Sequence, residues 1–494
     1  MNHSISIRAM NQAIGIPKTQ SSLKSSFYRA CALILFLAAG LSGCQSNVTD
    51  EKNRDYGWGL NPLLKAPKPQ KIPTLAPAKA IGWLEGQLPV AAPGLKVNAF
   101  AQGLDHPRWL YELPNGDILV AETDAPDASA GGGLFAWFAK RVMRYSGSGF
   151  PSPDRISLLR DTNGDGTADL ITPFATGLNS PFGMALVGDH LYIANTNAVI
   201  AFNYTQGATE VLGPSRFISA LPANAPNSHW TKNLLPHPTE DWLFVAIGSN
   251  SNIGELGHAA EAGRAGIWSL DLKTGDLVPF ATGLRNPVGM ALHPETNELW
   301  TVVNERDLLG NELVPDYLAR VREGEDFGWP THYWGILRDE RVPIQWREAA
   351  SVEQGVKRPK VDPDQKIPNF QVPDVALGAH TASLGLAFYS GESIPTLTNH
   401  AIIGQRGSWN RKPRSGYEVI SIPFSQDGEA MGPAKTLLSG FIDQKGQAKG
   451  RPVGVITTRS GAILVADDVG GSIWRMTNSP ASETKEPQPS LRTP

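Results

Sequence analysis

One thirteen-residue stretch of this chain occurs almost twice. Phe174-Ala-Thr-Gly-Leu-Asn-Ser-Pro-Phe-Gly-Met-Ala-Leu186 returns 106 residues later as Phe280-Ala-Thr-Gly-Leu-Arg-Asn-Pro-Val-Gly-Met-Ala-Leu292, with ten of thirteen positions identical. Weaker copies stand at Ala101-Gln-Gly-Leu-Asp-His-Pro107 and Arg451-Pro-Val-Gly-Val455. Each copy is followed by a polar turn and a short apolar run: Asp117–Ala121, His190–Ala194, Glu298–Val302 and Ala462–Ala466. Looser units follow the same plan at Trp242–Ala246 and His400–Gly404. Units of roughly 40–50 residues built from several short strands are what propeller blades look like, and the long offset is then two blades. The spacing predicts an all-β, six-bladed β-propeller over 95–478. Neither a β-sandwich nor two unrelated domains explains a near-copy at this distance.

Composition agrees. Of 494 residues, 50 are glycine and 39 proline, which favours many turns between short strands. A net charge of −3 gives no reason to expect nucleic acid as a partner.

The first 43 residues carry Arg8, Lys18, Lys24 and Arg29 and no acid, then an apolar run from Ala30 to Gly40. That run is too short to span a bilayer stably and fits an export signal over 1–43. Its ending, Leu41-Ser-Gly-Cys44, resembles the bacterial lipobox, which makes Cys44 the lipidated first residue of the mature chain. An ordinary signal peptide with a chance cysteine is the alternative. The chain has two cysteines, and Cys31 leaves with the signal, so no intramolecular disulfide and no cysteine-rich metal site is available. The expectation is an exported periplasmic protein, held at the bacterial outer membrane only through its lipid. Residues 44–94, with Ala66-Pro-Lys-Pro-Gln-Lys-Ile-Pro73, read as an extended tether, and 479–494 as a flexible tail.

A propeller fold names no function, so the informative positions are those where the copies disagree. Asn179-Ser180 in one copy is Arg285-Asn286 in the other. The turn tolerates small polar residues, so it does not need a guanidinium. Arginine adds a permanent charge and a planar donor fork suited to an oxygen-rich ligand; a solvated loop arginine is the plain alternative.

Arg285-Asn286-Pro287 before Gly-Met-Ala-Leu resembles the bacterial PQQ-dependent soluble sugar dehydrogenases. Further matches are His229 ahead of Ala246-Ile-Gly248, and Phe327-Gly-Trp-Pro330 after an acidic loop. Gly407-Ser-Trp-Asn-Arg411 with Ser415-Gly-Tyr417 looks like the L-sorbosone dehydrogenase branch. The resemblance implies oxidation of an aldose or sugar-derived aldehyde, with electrons passing to a cytochrome or quinone acceptor. It makes His229 the general base; read without the family, His229 is one of several loop histidines, and His237 and His258 compete with it. Arg285, with Asn286, would polarise the reacting carbonyl. PQQ is a tricarboxylate quinone and needs cations. Lys449 and Arg451 match a cationic pair, Arg411 and Arg406 stand where the family has another cation, and His380 lies where the family's stacking tryptophan is missing.

Calcium is the family's second requirement. Glu312, with Asp307 and Glu305, lies in the stretch matching its calcium loop. Separately, Asp161, Asn163, Asp165 and Asp169 resemble the first half of an EF-hand loop, although Thr172 holds the twelfth position; a calcium turn and a plain Asx-rich turn both fit. Two rivals remain: a calcium-dependent lactonase propeller, which leaves the cations unexplained, and a surface-anchored binding propeller displaying Trp334 and Trp409.

Overall fold

A computed structural model describes residues 54–126, 141–342 and 370–479. The signal, Cys44 and the tail beyond Ser479 lie outside these residues.

Six antiparallel sheets form a ring. Blades 1 to 5 occupy 107–175, 184–220, 232–282, 287–379 and 383–439. Blade 6 joins three strands over 452–478 to Leu95–Gln102 from the other end of the propeller. Pairings from Ser472↔Gln102 to Asn478↔Leu95 close the circle. All six short apolar runs seen in the sequence coincide with the second strand of a blade to within one residue. Those strands are buried on both faces (Ile118–Glu122 throughout its length), which is why they read as continuous apolar stretches rather than alternating ones. The cores lie between blades: Trp300, Leu318 and Val375 of blade 4 pack with Leu386, Ile403 and Ile420 of blade 5.

The near-copies sit at blade junctions, ending in the innermost strand of the next blade. Their repeated glycine allows these strands to approach each other. A Cβ on Gly289 would lie 2.7 Å from the Leu386 nitrogen, and one on Gly454 2.6 Å from the Arg108 oxygen. Blade 1 carries Trp109 at this position, and its ring meets Phe182 of blade 2 at 4.9 Å.

Residues 54–94 do not form a free tether. Trp58–Gly59 adds a fifth strand to blade 4 and Val90–Ala91 a fifth to blade 5. Between them the chain runs as a strap. Lys68 N–H donates to the Leu309 carbonyl at 2.9 Å, Arg414 Nε to the Ala76 carbonyl at 2.9 Å, and Trp83 Nε1 to Asp467 at 2.7 Å. Proline suits an extended strap as well as a tether, since it removes a donor and fixes φ in either setting. Only tertiary partners distinguish the two.

Candidate active site

Successive strands alternate direction, so blade junctions and second-to-third-strand loops open at one end of the ring. A cavity of about 940 Å³ lies there. His229, Arg285, Asn286, Asp307, His380 and Arg406 all line it. These residues come from five junctions and loops of blades 3, 4 and 5, spread over more than a hundred residues of sequence.

His229 precedes the inner strand of blade 3. Its Nδ1 stands 2.7 Å from the Ser249 carbonyl oxygen and 3.0 Å from Ser249 Oγ. A carbonyl only accepts, so Nδ1 holds the proton and Nε2 keeps the lone pair. Burial, then the charge of Arg285, lowers the pKa of His229 to about 3. The ring is therefore a neutral imidazole on the cavity wall. The competing histidines lie elsewhere. His237 stacks on Trp242 at 4.2 Å, at the opposite end of blade 3, and His258 opens a four-residue helix outside the cavity lining.

Arg285 is held by a collar of oxygens. Nε donates to the Asn252 carbonyl at 3.1 Å and Nη1 to those of Asn304 (3.1 Å) and Glu305 (2.8 Å). Nη2 donates to Asn252 Oδ1 at 2.9 Å, with Asp307 at 3.6 Å. Its charge is thus fixed in place before any ligand arrives. Beside it, Asn286 Oδ1 is buried without a hydrogen-bond partner, pressed against the bare Cα of Gly248.

Asp307 and His380 form an ion pair at 3.3 Å, and His380 Nε2 donates to the Gly310 carbonyl at 2.9 Å. Burial pushes His380 down, but Asp307 and Gly310 outweigh it and raise its pKa. Burial pushes Asp307 up, but His380 and Arg285 hold it at about 2.

The other expected cations are dispersed. Arg406 lines the cavity and donates to Asp468 at 2.7 Å. Arg451 is 2% exposed and lies behind the wall, reaching the Tyr417 hydroxyl at 3.2 Å. Arg411 is turned away onto Glu312, at 2.8 Å, and Lys449 sits 4.7 Å over the ring of Trp83 on the strap.

The expected calcium carboxylates do not converge. Glu305 accepts from Arg306 at 3.0 Å, Asp307 is paired with His380, and Glu312 with Arg411. Among the described residues no three His, Cys, Asp or Glu side chains gather as a metal site. The 161–169 loop is the third-to-fourth-strand turn of blade 1, at the far end. Asp161 accepts from the Gly164 and Gly166 nitrogens at 2.7 and 2.8 Å, and Asp169 from Thr162 at 2.8 Å. These carboxylates thus accept from the turn's own nitrogens.

The family described as TrAA12-like matches residues 161–479, well over half of the chain. The chain belongs to the TrAA12-like family. An uncharacterized protein of Borreliella burgdorferi is 28% identical over 316 residues, 62% of this chain and 78% of its own. A pyrroloquinoline quinone-dependent sugar dehydrogenase of Hypocrea jecorina is 22% identical over 437 residues, 79% of this chain and 90% of its own. In fold, this TrAA12-like chain is similar to the calcium structure of the Trichoderma reesei Carbohydrate-Active Enzymes Family AA12 protein. That pair has a TM-score of 0.59 and 20% identity, covering 82% of this chain and 98% of the other. The holo PQQ domain of pyranose dehydrogenase from Coprinopsis cinerea gives 0.58 and 18%, covering 80% and 98%.

Sequence reasoning missed several residues of this TrAA12-like site. Asn252 clamps Arg285 through both its carbonyl and its side chain. Glu261 accepts from the Asn250 nitrogen at 2.6 Å and from Ser251 Oγ, which shapes the turn carrying Ser249 and Asn252. Asp316 accepts from the Glu305 and Ser383 nitrogens, both at 2.9 Å, beneath the Arg285 collar. Arg108 lines the cavity. It alone left a legible trace: the residue after the inner-strand proline is Phe182, Val288 or Val453 in the other copies.

Proposed function

We propose that this chain is a quinoprotein dehydrogenase that oxidises an aldose, or a sugar-derived aldehyde of the sorbosone type, with PQQ as cofactor. The observation that carries the reading is the pairing of a neutral, tautomer-fixed His229 with the pre-fixed charge of Arg285 on one cavity. The likeness to the pyrroloquinoline quinone-dependent sugar dehydrogenase of Hypocrea jecorina supports it.

The residues present fit the cofactor. The cavity has guanidinium groups for carboxylates and Trp409, 44% exposed, as an apolar face at its wall. Arg285 and Asn286 would face the quinone oxygens, and Arg406 a carboxylate. When bound, PQQ supplies an ortho-quinone that accepts a hydride equivalent. This chain's residues do the rest. His229 Nε2 takes the proton from the substrate hydroxyl, while the Ser249 carbonyl holds Nδ1–H and stabilises the imidazolium that forms. Arg285 presents positive charge where negative charge develops and needs no reorganisation, because its collar already holds it. No step is assigned to calcium, since the carboxylates read as its ligands are bound to Arg306, His380 and Arg411. That pairing also weakens the lactonase alternative, which depends on a carboxylate-bound metal.

Adding PQQ to the purified chain should change the quinone absorption stoichiometrically and switch on dye-linked oxidation of aldoses or aldehydes. No spectral change would discard the reading. Export and lipidation at Cys44, with electrons handed to a cytochrome or quinone in the periplasm, complete the proposal. A Cys44→Ser chain that stays in the membrane pellet with its lipid label would remove that part.

A further inference from the structure

We infer that Arg108 is a carboxylate-binding residue of the cavity, the partner of Arg406 in gripping one acidic group of the ligand. The carboxylate is assigned to PQQ, so the ligand's identity rests on the reading above, whereas the anion subsite itself does not.

The first ground is positional. Blade 1 begins Pro107-Arg108, where the matching copies of the repeat read Pro181-Phe182, Pro287-Val288 and Pro452-Val453. Phe182, Val288 and Val453 are each at most 2% exposed and fill core. The scaffold therefore takes an apolar residue at this position, and an arginine there is not needed for folding. The same departure from the repeat marked Arg285.

The second ground is an unmet donor. Arg108 is 7% exposed, and its Nε is buried without a hydrogen-bond partner. Arg54, Arg264, Arg411 and Arg451 also have an unpartnered buried Nε, but among the described residues only Arg108 of this group lines the cavity. Its contacts are Asp468 at 3.3 Å, Asp124 at 3.8 Å, and the Trp230 ring at 5.5 Å. A guanidinium carries five donors in a planar fork. Here the fork is held in position but only loosely occupied.

The third ground is charge. Among the described residues, Arg108, Arg406 and Arg451 all act on Asp468, and Asp124 is the second carboxylate beside this group. Three guanidiniums share two carboxylates, so one positive charge is left over at the cavity wall. Burial, with the neighbouring charge of Arg406, lowers the pKa of Arg108 against the opposing pull of Asp468 and Asp124. A ligand carboxylate would supply both the missing acceptor and the missing charge. Asp468 keeps its closer 2.7 Å bond to Arg406 whether or not Arg108 is present, so Arg108 can be replaced without orphaning it.

The test is binding, read by quinone absorption during PQQ titration of wild type, Arg108→Met and Arg108→Lys. Met keeps the stem's bulk and removes the charge; Lys keeps the charge and loses the fork. Circular dichroism and melting check that each variant is folded. Arg108→Met should raise the Kd for PQQ at least about tenfold, the scale of one charge-assisted hydrogen bond, with Arg108→Lys in between. An Arg108→Met chain that binds PQQ like wild type overturns the inference and leaves the quinoprotein reading standing. If wild type does not take up PQQ, benzene-1,3,5-tricarboxylate serves as the probe. Stabilisation of wild type but not Arg108→Met by that anion would uphold the subsite while the cofactor reading falls. Equal or absent stabilisation in both would overturn the subsite as well.

Discussion

The Ser249 carbonyl oxygen lies 2.7 Å from His229 Nδ1, and that contact determines which nitrogen of the ring can act as a base. A residue two strands away in the chain thus chooses the tautomer. Ser249 is held in turn: its N–H donates to the Arg285 carbonyl at 2.7 Å, and its Oγ to the Ser251 carbonyl at 2.7 Å. His229 and the fixed cation therefore share one short turn.

If His229 is the base, His229→Ala should separate chemistry from binding. Turnover should fall at least about a hundredfold, while PQQ affinity stays within a few-fold, because the loss is of a proton acceptor and not of a cation. Single-turnover rates at saturating PQQ check this. Normal turnover would refute the assignment.

His229 also predicts an acid-sensitive stability. Its folded pKa, about 3, lies below the ordinary 6.5, so the unfolded chain binds more protons between those values. Stability should accordingly drop as pH falls from 6.5 towards 3. His229→Gln cannot take up that proton in either state. Its melting temperature should fall less steeply than that of wild type over the same range. Parallel curves would show that the ring is not held neutral.

The fold was largely legible, because the blade repeat is a local signal written six times over. The strap was not, since prolines look alike in a free linker and in a chain bound to loops hundreds of residues away. At the site, Arg285 could be found because it breaks its own repeat, and Arg108 breaks it too. Arg411, Lys449 and Glu312 lie on loops at the right end of the ring but point elsewhere. Loop position follows from topology, whereas side-chain direction depends on partners such as Trp83 that no local pattern announces.

Gly248 should be intolerant of any side chain. A Cβ there would lie 2.6 Å from His229 Cβ and would strike Asn286 Oδ1. Gly248→Ala must therefore displace two cavity residues. Activity should drop by roughly tenfold or more, since small misplacements at a reacting centre are costly. Melting should change by a few degrees at most, because the clash lies beside open cavity. Wild-type kinetics would mean the two side chains are not positioned as described.

Removing residues 54–94 tests the strap. A tether could be lost without effect. The strap cannot, for it covers Phe441 and Trp474 with Trp83, whose centroid lies 5.6 and 5.3 Å from theirs. Asp467 would lose the Trp83 donor, and two blades would lose their fifth strands. Burial of a large side chain is worth about 2 kcal/mol, so the whole strap should contribute several. The shortened chain should melt roughly 5–10 °C lower. An unchanged melting temperature would restore the tether.

The last prediction concerns Glu312 and Arg411, where the metal-ligand and ion-pair readings part. As a calcium ligand, Glu312 would make folding or cofactor loading sensitive to chelation. As found, both its carboxylate oxygens accept from Arg411 Nη2, at 2.9 and 2.8 Å, and Arg411 is 4% exposed. Glu312→Gln should then leave a buried guanidinium without its counter-charge, costing about 1–3 kcal/mol; the lower part of that range is favoured because Glu312 is itself partly open to water. Adding Arg411→Met should recover most of that loss, as expected when a buried charge and its partner leave together. A chelator should not shift the melting temperature of the cofactor-free chain, in wild type or in either variant. Recovery in the double variant with no chelator effect identifies an ion pair. A chelator-sensitive wild type whose sensitivity disappears in Glu312→Gln would instead return this carboxylate to a metal.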